Sequence, residues 1–476
     1  MVIDLSPDEF RALGYQAIDL IAGQLAAPRD EPARRSVPAD LRDQLMRAPL
    51  PAEGRAPEEI LSAYARDVLP YPMGNPSPRF FAWVNSPPAP LGVLAELLAA
   101  ALDPSVAGGD HAATYVEHGV LGWLRRMVGY PADSGGLLVS GGSMANLTGL
   151  AVMRHVKTRG DVRARGLAGD PAPLVVYTST QGHSCVEKAV ELLGLGHDYL
   201  RKIPVDAEQR MDVERLRRQI AADRAAGLRP ACVAASAGTV NTGAIDPLDA
   251  IADVCAAEGL WLHVDGAYGA VGVLAEQTAG LYQGMERADS LAIDPHKWLY
   301  VPIECGCVFV RDAQAMRDSF SLVPPYLRDD ASLPWFAEFG IQQTRGFRAL
   351  KLWMLIQQVG ESGYRELIGR DIALARYLQR RVRERGDFEL VAAGPLSISC
   401  FRYAPPDAAD LDNLNRRLLD LVQREGQVYL TSTQLDGQLV LRACIVNFRT
   451  AEADVDFLLD TLAEAGRRVL RLANSD

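Results

Sequence analysis

The sequence predicts an α/β fold with a mainly parallel central sheet, an N-terminal helical arm and a small C-terminal α+β domain. Three observations carry this. Helical patterns broken by Pro-rich stretches fill the first ninety residues; from there short apolar runs alternate with helical patterns; past about residue 355 helices mix with short strands. At 476 residues the chain is too long for one compact core. The boundaries expected are 1–89 for the arm, 90–354 for the large domain and 355–476 for the small one.

The arm opens with a helix after Ser6-Pro7, on which Phe10, Leu13, Ala17, Ile21 and Leu25 share one face. An extended, Pro-rich region is expected from Pro28 to Pro57, then a second helix to about Leu69, then a further Pro-rich stretch from Pro70 to Pro90. Such an arm buries little of its own surface, and packing on another subunit is expected.

The strands of the large domain are Leu137–Val139, Leu174–Tyr177, Ala231–Ala235, Trp261–Val264 and Cys307–Val310. Between them lie helical patterns at Ser143–Arg154, Val213–Ala226 and Pro247–Ala257. A long amphipathic helix begins near Gly346 and runs through Trp353 and Ile356. Beyond it, Ser397–Arg402 and Leu439–Ala443 read as strands.

Composition narrows the function classes. A formal net charge of −11 gives no general attraction for nucleic acid or an anionic membrane. The N-terminus lacks the basic and apolar regions of a secretory signal, and the most apolar stretch, Ala89–Leu102, is short and carries Glu96. Seven scattered cysteines read as buried thiols, and a cytoplasmic location is expected. The seven histidines form no H-E-x-x-H or comparable cluster, so no metal site is expected. Only five of the 49 basic residues are lysines, so few compete for a catalytic role.

Four polar features fall at the carboxyl ends of strands, where open α/β sheets bind ligands. Ser140-Gly141-Gly142-Ser143 joins a strand to a helix, and its small residues and free N–H groups suit a phosphate. A tight turn with no ligand suits it equally. His263-Val264-Asp265-Gly266-Ala267-Tyr268 ends an apolar strand in an aspartate. Asp265 could pair with a protonated pyridine nitrogen, with Ala267 leaving room for a flat ring, or it could cap the turn. In Asp294-Pro295-His296-Lys297-Trp298, partial burial and a neighbouring cation are expected to lower the pKa of Lys297 and expose a nucleophilic amine for Schiff-base chemistry. The plain alternative is a salt bridge to Asp294. In Gln181-Gly182-His183-Ser184, the imidazole could stack on a ring and donate to a carboxylate, or cap the next helix.

Together these motifs resemble the group II decarboxylases that depend on pyridoxal 5'-phosphate (PLP). The similarity extends from Glu9-Phe10-Arg11 through Pro78-Arg79-Phe80-Phe81-Ala82 to Arg345–Trp353. It implies PLP fold-type I, the aspartate aminotransferase-like fold, and an obligate homodimer with the active site at the interface. It also implies Gly142 and Ser143 as phosphate ligands with His296 beside them, and Asp294 as a polar cofactor contact where relatives often carry asparagine. Lys297 is then the Schiff-base lysine, Asp265 the partner of the pyridine nitrogen, Ala267 a ring-face contact and His183 the stacking residue. Val323-Pro324-Pro325-Tyr326-Leu327 resembles the family's catalytic loop, with Tyr326 the acid that protonates the substrate α-carbon.

The reaction implied is decarboxylation of an L-amino acid, aromatic or bulky, to an amine and CO2. Trp83, Ser86 and His183 are the expected substrate contacts. The chain departs from the aromatic-type pattern at Val240, at Asn75-Pro76, at Trp83–Ser86 and at Gly108–His111, so substrate choice stays open. Rival readings are an oxygen-consuming aldehyde synthase, an aminotransferase-like enzyme, and a PLP-binding protein without catalysis. Relatives that form aldehydes commonly carry phenylalanine at the position of Tyr326 or asparagine at that of His183; this chain keeps tyrosine and histidine.

Overall fold

The structure, a computed structural model, describes residues 3–26, 29, 31–169, 172–322 and 333–473. Tyr326 and the rest of the motif Val323–Leu327 lie outside the described residues.

Seven strands form the central sheet: β1 (Gly135–Val139), β2 (Leu174–Ser179), β3 (Leu200–Ile203), β4 (Arg229–Ser236), β5 (Trp261–Asp265), β6 (Ser290–Ile293) and β7 (Gly306–Val310). Their order is β1-β7-β6-β5-β4-β2-β3. Pairing is parallel from β6 through β5, β4 and β2 to β3. β7 runs antiparallel to both its neighbours, β6 and β1, so β1 points the same way as the rest. Every residue of β1, β2, β6 and β7 is buried, as strands covered on both faces require. β3, with the sequence LRKI at the sheet edge, buries only Ile203.

Because these strands run in one direction, β1, β2, β5 and β6 end on one rim of the sheet. The segments that follow them carry Ser140–Ser143, His183, Asp265 and Asp294. The strand that delivers Asp294 is β6. It gives little signal in the sequence because it is four residues long and starts at a serine that follows Asp289.

By internal packing the chain divides into two units, and the division differs from the expected 1–89, 90–354 and 355–476. One unit is residues 84–376 with 392–399, and contains the central sheet. The other is residues 1–83, 377–391 and 400–476. The helical span Ala349–Glu384 is kinked at Gly360 (φ 69°), and its C-terminal part, from residue 377, belongs to the second unit.

The second unit holds most of a four-stranded sheet ordered β10-β11-β9-β8, built from β8 (Phe388–Ala393), β9 (Ile398–Tyr403), β10 (Thr431–Leu435) and β11 (Gln438–Cys444). The last stretch of the arm is hydrogen-bonded into this unit. Phe81 N–H donates to the Tyr429 carbonyl (2.7 Å), Cys444 N–H to the Phe81 carbonyl (2.9 Å) and Thr450 Oγ1 to the Pro78 carbonyl (2.7 Å). The earlier arm helices, Pro7–Ala26, Ala39–Arg47 and Pro57–Asp67, bury no residue. The second of these corrects the expectation of an extended region from Pro28 to Pro57. It starts after Pro38, a residue that cannot continue a helix backwards but tolerates one beginning behind it.

All seven cysteines are free and buried. Among the described residues, no helix is long and apolar enough to cross a membrane.

Candidate active site

Glycine at position 142 is dictated by close approach. A Cβ added there would lie 2.6 Å from Asp294 Oδ2 and 2.9 Å from Ala267 Cβ. The adjoining backbones are equally tight: a Cβ on Gly306 would lie 2.5 Å from Gly141 Cα. The turn thus sits directly against the segments that follow β5 and β6. The helix Gly142–Lys157 starts here with no side-chain cap, leaving its first N–H groups and their partial positive charge directed at the site.

A buried chain of hydrogen bonds fixes this helix start. Asn146 Nδ2 donates to the Gly142 carbonyl (2.8 Å), so Asn146 Oδ1 accepts from His263 Nε2 (2.6 Å). That places the imidazole proton on Nε2, and Nδ1 accepts from Ser290 Oγ (2.8 Å), which itself accepts from Trp261 Nε1 (2.8 Å). Burial pushes the His263 pKa down to about 4, so the ring stays neutral. The histidine of HVDGAY therefore supports the glycine turn from behind. Nothing in the linear sequence joins His263 to Asn146.

Asp265 ends β5. Its Oδ1 accepts from Ala267 N–H (3.1 Å), and its Oδ2 is 3.9 Å from the Cys185 thiol, which burial pushes toward the protonated form. The turn-capping alternative is therefore met by one oxygen only. His183 is the N-cap of the helix Ser184–Leu192, its Nδ1 accepting from Cys185 N–H (3.1 Å). In the neutral ring the proton is then on Nε2, which leaves a donor for another partner. Burial lowers the His183 pKa, with Asp265 opposing. Capping and ligand donation thus use different nitrogens of one ring.

Asp294 follows β6 and is buried. Its Oδ2 pairs with Lys297 Nζ at 2.9 Å, and its Oδ1 has no hydrogen-bond partner among the described residues. Burial pulls the Lys297 ammonium pKa down, but Asp294 and Asp265 outweigh it and hold it above the ordinary lysine value. This corrects the expectation of a pKa lowered by a neighbouring cation. His296 has its Nδ1 2.7 Å from the Cys305 carbonyl and its Nε2 3.9 Å from Asp294 Oδ2. The other four lysines are engaged elsewhere or exposed: Lys157 donates to the Gly259 carbonyl, Lys202 pairs with Glu187, Lys351 with Glu96, and Lys188 lies at the surface.

The turn carrying Lys297 is anchored beneath. Trp298 is fully buried, stacks on Tyr268 (5.1 Å between ring centroids) and donates Nε1–H to Asp371 Oδ2 (2.9 Å). Tyr300 donates its hydroxyl to the same oxygen (2.8 Å). Ser86, expected at the substrate, donates Oγ–H to the His296 carbonyl (3.1 Å). Trp83 belongs to the other unit, packed with Phe80 and Tyr429 at 5.9 and 5.8 Å. Beside Val240, the Thr239 hydroxyl is committed to its own turn, 2.9 Å from Thr242 Oγ1 and accepting from Ala244 N–H. Asn241 donates to Gln181 Oε1 (2.8 Å).

A phosphorylated pyridine aldehyde fits these residues. An uncapped glycine turn suits its phosphate, an amine on a buried turn suits its aldehyde, and a carboxylate at the end of β5 suits its ring nitrogen. The bare Asp294 Oδ1 is an unused polar contact within the same cradle.

Comparison with known proteins agrees with this. Residues 38–404 match the pyridoxal-dependent decarboxylase conserved domain. The chain is 36% identical over 462 residues to an aromatic-L-amino-acid decarboxylase of Bacillus atrophaeus, covering 95% of this chain and 94% of that one. It is 29% identical over 464 residues to a phenylacetaldehyde synthase of Petunia hybrida, covering 93% and 91%. The crystal structure of Oryza sativa TDC with PLP and tryptamine superposes with a TM-score of 0.91 at 30% identity, covering 98% of this chain and all of that one.

Proposed function

The chain belongs to the pyridoxal-dependent decarboxylase family and is a PLP-dependent amino-acid decarboxylase; we propose that its substrate is an aromatic L-amino acid and that Lys297 is the residue that holds the cofactor. The observation that carries the assignment is the Lys297 amine, 2.9 Å from Asp294, on a turn beside Gly142. The aromatic preference draws on the 36% identical aromatic-L-amino-acid decarboxylase and on the similar rice structure with PLP and tryptamine.

Gly142 and Ser143 would hold the phosphate at the helix start, with His296 and Asp294 alongside. Ala267 would border one face of the ring and His183 the other. When bound, the cofactor supplies an electron sink for the pair left behind as CO2 departs. Asp265 holds a proton at the ring nitrogen, which keeps that sink positive. His183 Nε2–H is the donor available to orient the substrate carboxylate, and Ser86 holds the backbone of the Lys297 turn in register. Tyr326, by its place in the sequence motif, delivers a proton to the substrate α-carbon.

We further propose a homodimer in the cytoplasm. Three arm helices that bury no residue, and the helix Pro90–Leu102 with Leu94, Leu97, Leu98 and Leu102 exposed, favour a partner surface. Seven free thiols suit a reducing compartment.

Borohydride treatment of the protein loaded with PLP, followed by peptide mass analysis, tests the lysine; the adduct belongs on Lys297, and finding it on Lys188 or Lys351 refutes the site. Carbon dioxide release from a panel of L-amino acids, with amine and aldehyde measured together, tests the reaction. Aromatic substrates giving amine are expected, and aldehyde with ammonia as the main product would refute it.

A further inference from the structure

We propose that Asp294 is a proton-accepting cofactor ligand: it takes up a proton as the phosphate binds, so that cofactor capture by this chain is coupled to proton uptake. The inference deepens the reading of the glycine turn as the phosphate cradle and rests on it.

The geometry sets the problem. The Asp294 carboxylate is walled in, its side chain 2% exposed, and lies against the glycine turn closely enough that a Cβ on Gly142 would sit 2.6 Å from Oδ2. Oδ2 is matched by the Lys297 ammonium, while Oδ1 is buried with no partner among the described residues. A phosphate monoester is a dianion above about pH 6–7. Placed at this helix start, it brings like charge beside a carboxylate that one ammonium already only half satisfies. Like charges in a shared buried site raise the pKa of the weaker acid. Protonation at Oδ1 turns a repelled acceptor into an O–H donor toward a phosphate oxygen, and fills the hydrogen-bonding position that is bare in the free chain. An asparagine amide would supply that donor without a proton.

The other groups around Asp294 are already accounted for. On its own turn, Lys297 is an ammonium and His296 Nε2 lies 3.9 Å from Oδ2. From the helix after β2 come His183 and the Cys185 thiol; from β5, Asp265; from the β7 approach, the Cys305 and Cys307 thiols, which burial keeps protonated. The backbone offers Asp294 no donor at Oδ1; its own N–H is spent on the Ala267 carbonyl (3.1 Å).

The test uses pyridoxamine 5'-phosphate, which carries the phosphate but no aldehyde, so condensation with Lys297 does not enter. Its dissociation constant is measured on the full, cofactor-stripped chain between pH 7 and 9, for wild type and Asp294→Asn. Proton uptake is read by calorimetry in two buffers of different ionisation enthalpy. Because Asp294→Asn also alters the Lys297 ammonium, both measurements are repeated on a Lys297→Arg background, where the cation stays charged throughout. Removing Asp294 is expected to cut uptake by about one proton and to flatten the dependence of affinity by about tenfold per pH unit. Equal uptake and equal slopes with and without Asp294 overturn the proposal, as does a variant that binds the probe more weakly at every pH. Should wild type fail to bind the probe, and PLP with borohydride leave Lys297 unlabelled, the site reading itself falls and the inference with it.

Discussion

Asp371→Asn tests whether a buried carboxylate under the Lys297 turn governs how the protein responds to pH. Asp371 is fully buried, accepts from Trp298 Nε1 and Tyr300 OH through one oxygen, and has its other oxygen without a partner among the described residues. Burial pushes its pKa from 3.8 up to about 7, against the pull of those two donors and of Arg370. The sign follows from linkage. The folded state holds this proton more tightly than the unfolded chain, so the contribution of Asp371 to stability is fully present below pH 3.8 and is lost as pH rises to about 7. Three pH units at about 1.4 kcal/mol each make the whole effect about 4 kcal/mol, of which about 3 falls between pH 5 and 8. Asparagine keeps an oxygen for Trp298 and Tyr300 but has nothing to ionise. Urea midpoints of wild type and variant at pH 5 and pH 8 give a double difference from which all other groups cancel. The variant should gain about 3 kcal/mol on wild type over that interval. Parallel stability curves would refute the burial argument.

Arg345 is buried with Glu117, and also donates to the Val106 and Leu138 carbonyls, so Arg345→Met strands a carboxylate beside β1; a loss of about 3–5 kcal/mol is expected in urea unfolding, and a loss under 1 would show the pair to be dispensable. Deleting residues 1–70 removes the helices that bury no residue of their own and should give monomer or aggregate by light scattering; a soluble, active monomer refutes the proposed dimer surface. Tyr326→Phe should bind PLP normally yet lose amine production by about 100- to 10,000-fold, and unchanged turnover would remove Tyr326 from the reaction.

How much of this was legible in one dimension depends on how each feature is encoded. Strands β2, β4, β5 and β7 announce themselves as apolar runs, and a run that stops at a polar residue marks a strand's end, which is how Asp265 is found. β3 and β6 lack that contrast: LRKI is half charged because it lies at the sheet edge, and SLAI is too short. The helix Ala39–Arg47 is obscured in the sequence by the prolines around it, and Pro38 stands just before its first helical residue. The Lys297 pKa departs from the expectation for a different reason. His296 adjoins Lys297 in the chain, but one helical turn brings Asp294, three residues back, to 2.9 Å while His296 faces Cys305. Residues that act through a partner remote in sequence, such as Asn146 on His263 or Asp371 on Trp298, leave no local signal.

The same distinction explains the electrostatic character of the site. The sequence offers Asp265 and His183 a structural or a ligand-binding role as alternatives, yet the structure lets several site residues do two things through different atoms. His183 caps a helix with Nδ1 and keeps Nε2–H; Asp265 closes a turn with Oδ1, while its Oδ2 takes a long contact from the Cys185 thiol; Asp294 pairs with Lys297 through Oδ2 and leaves Oδ1 bare. In each case the structural bond fixes the orientation of the group, and the second atom is what a ligand can use. A rigid first bond lowers the entropy lost when the second is made. The free cradle accordingly presents one ammonium under the influence of two carboxylates, together with a helix start, to a ligand that arrives with a dianionic phosphate. A proton gained on binding would relieve the excess negative charge. The bare Oδ1 of Asp294 is the position proposed to take it.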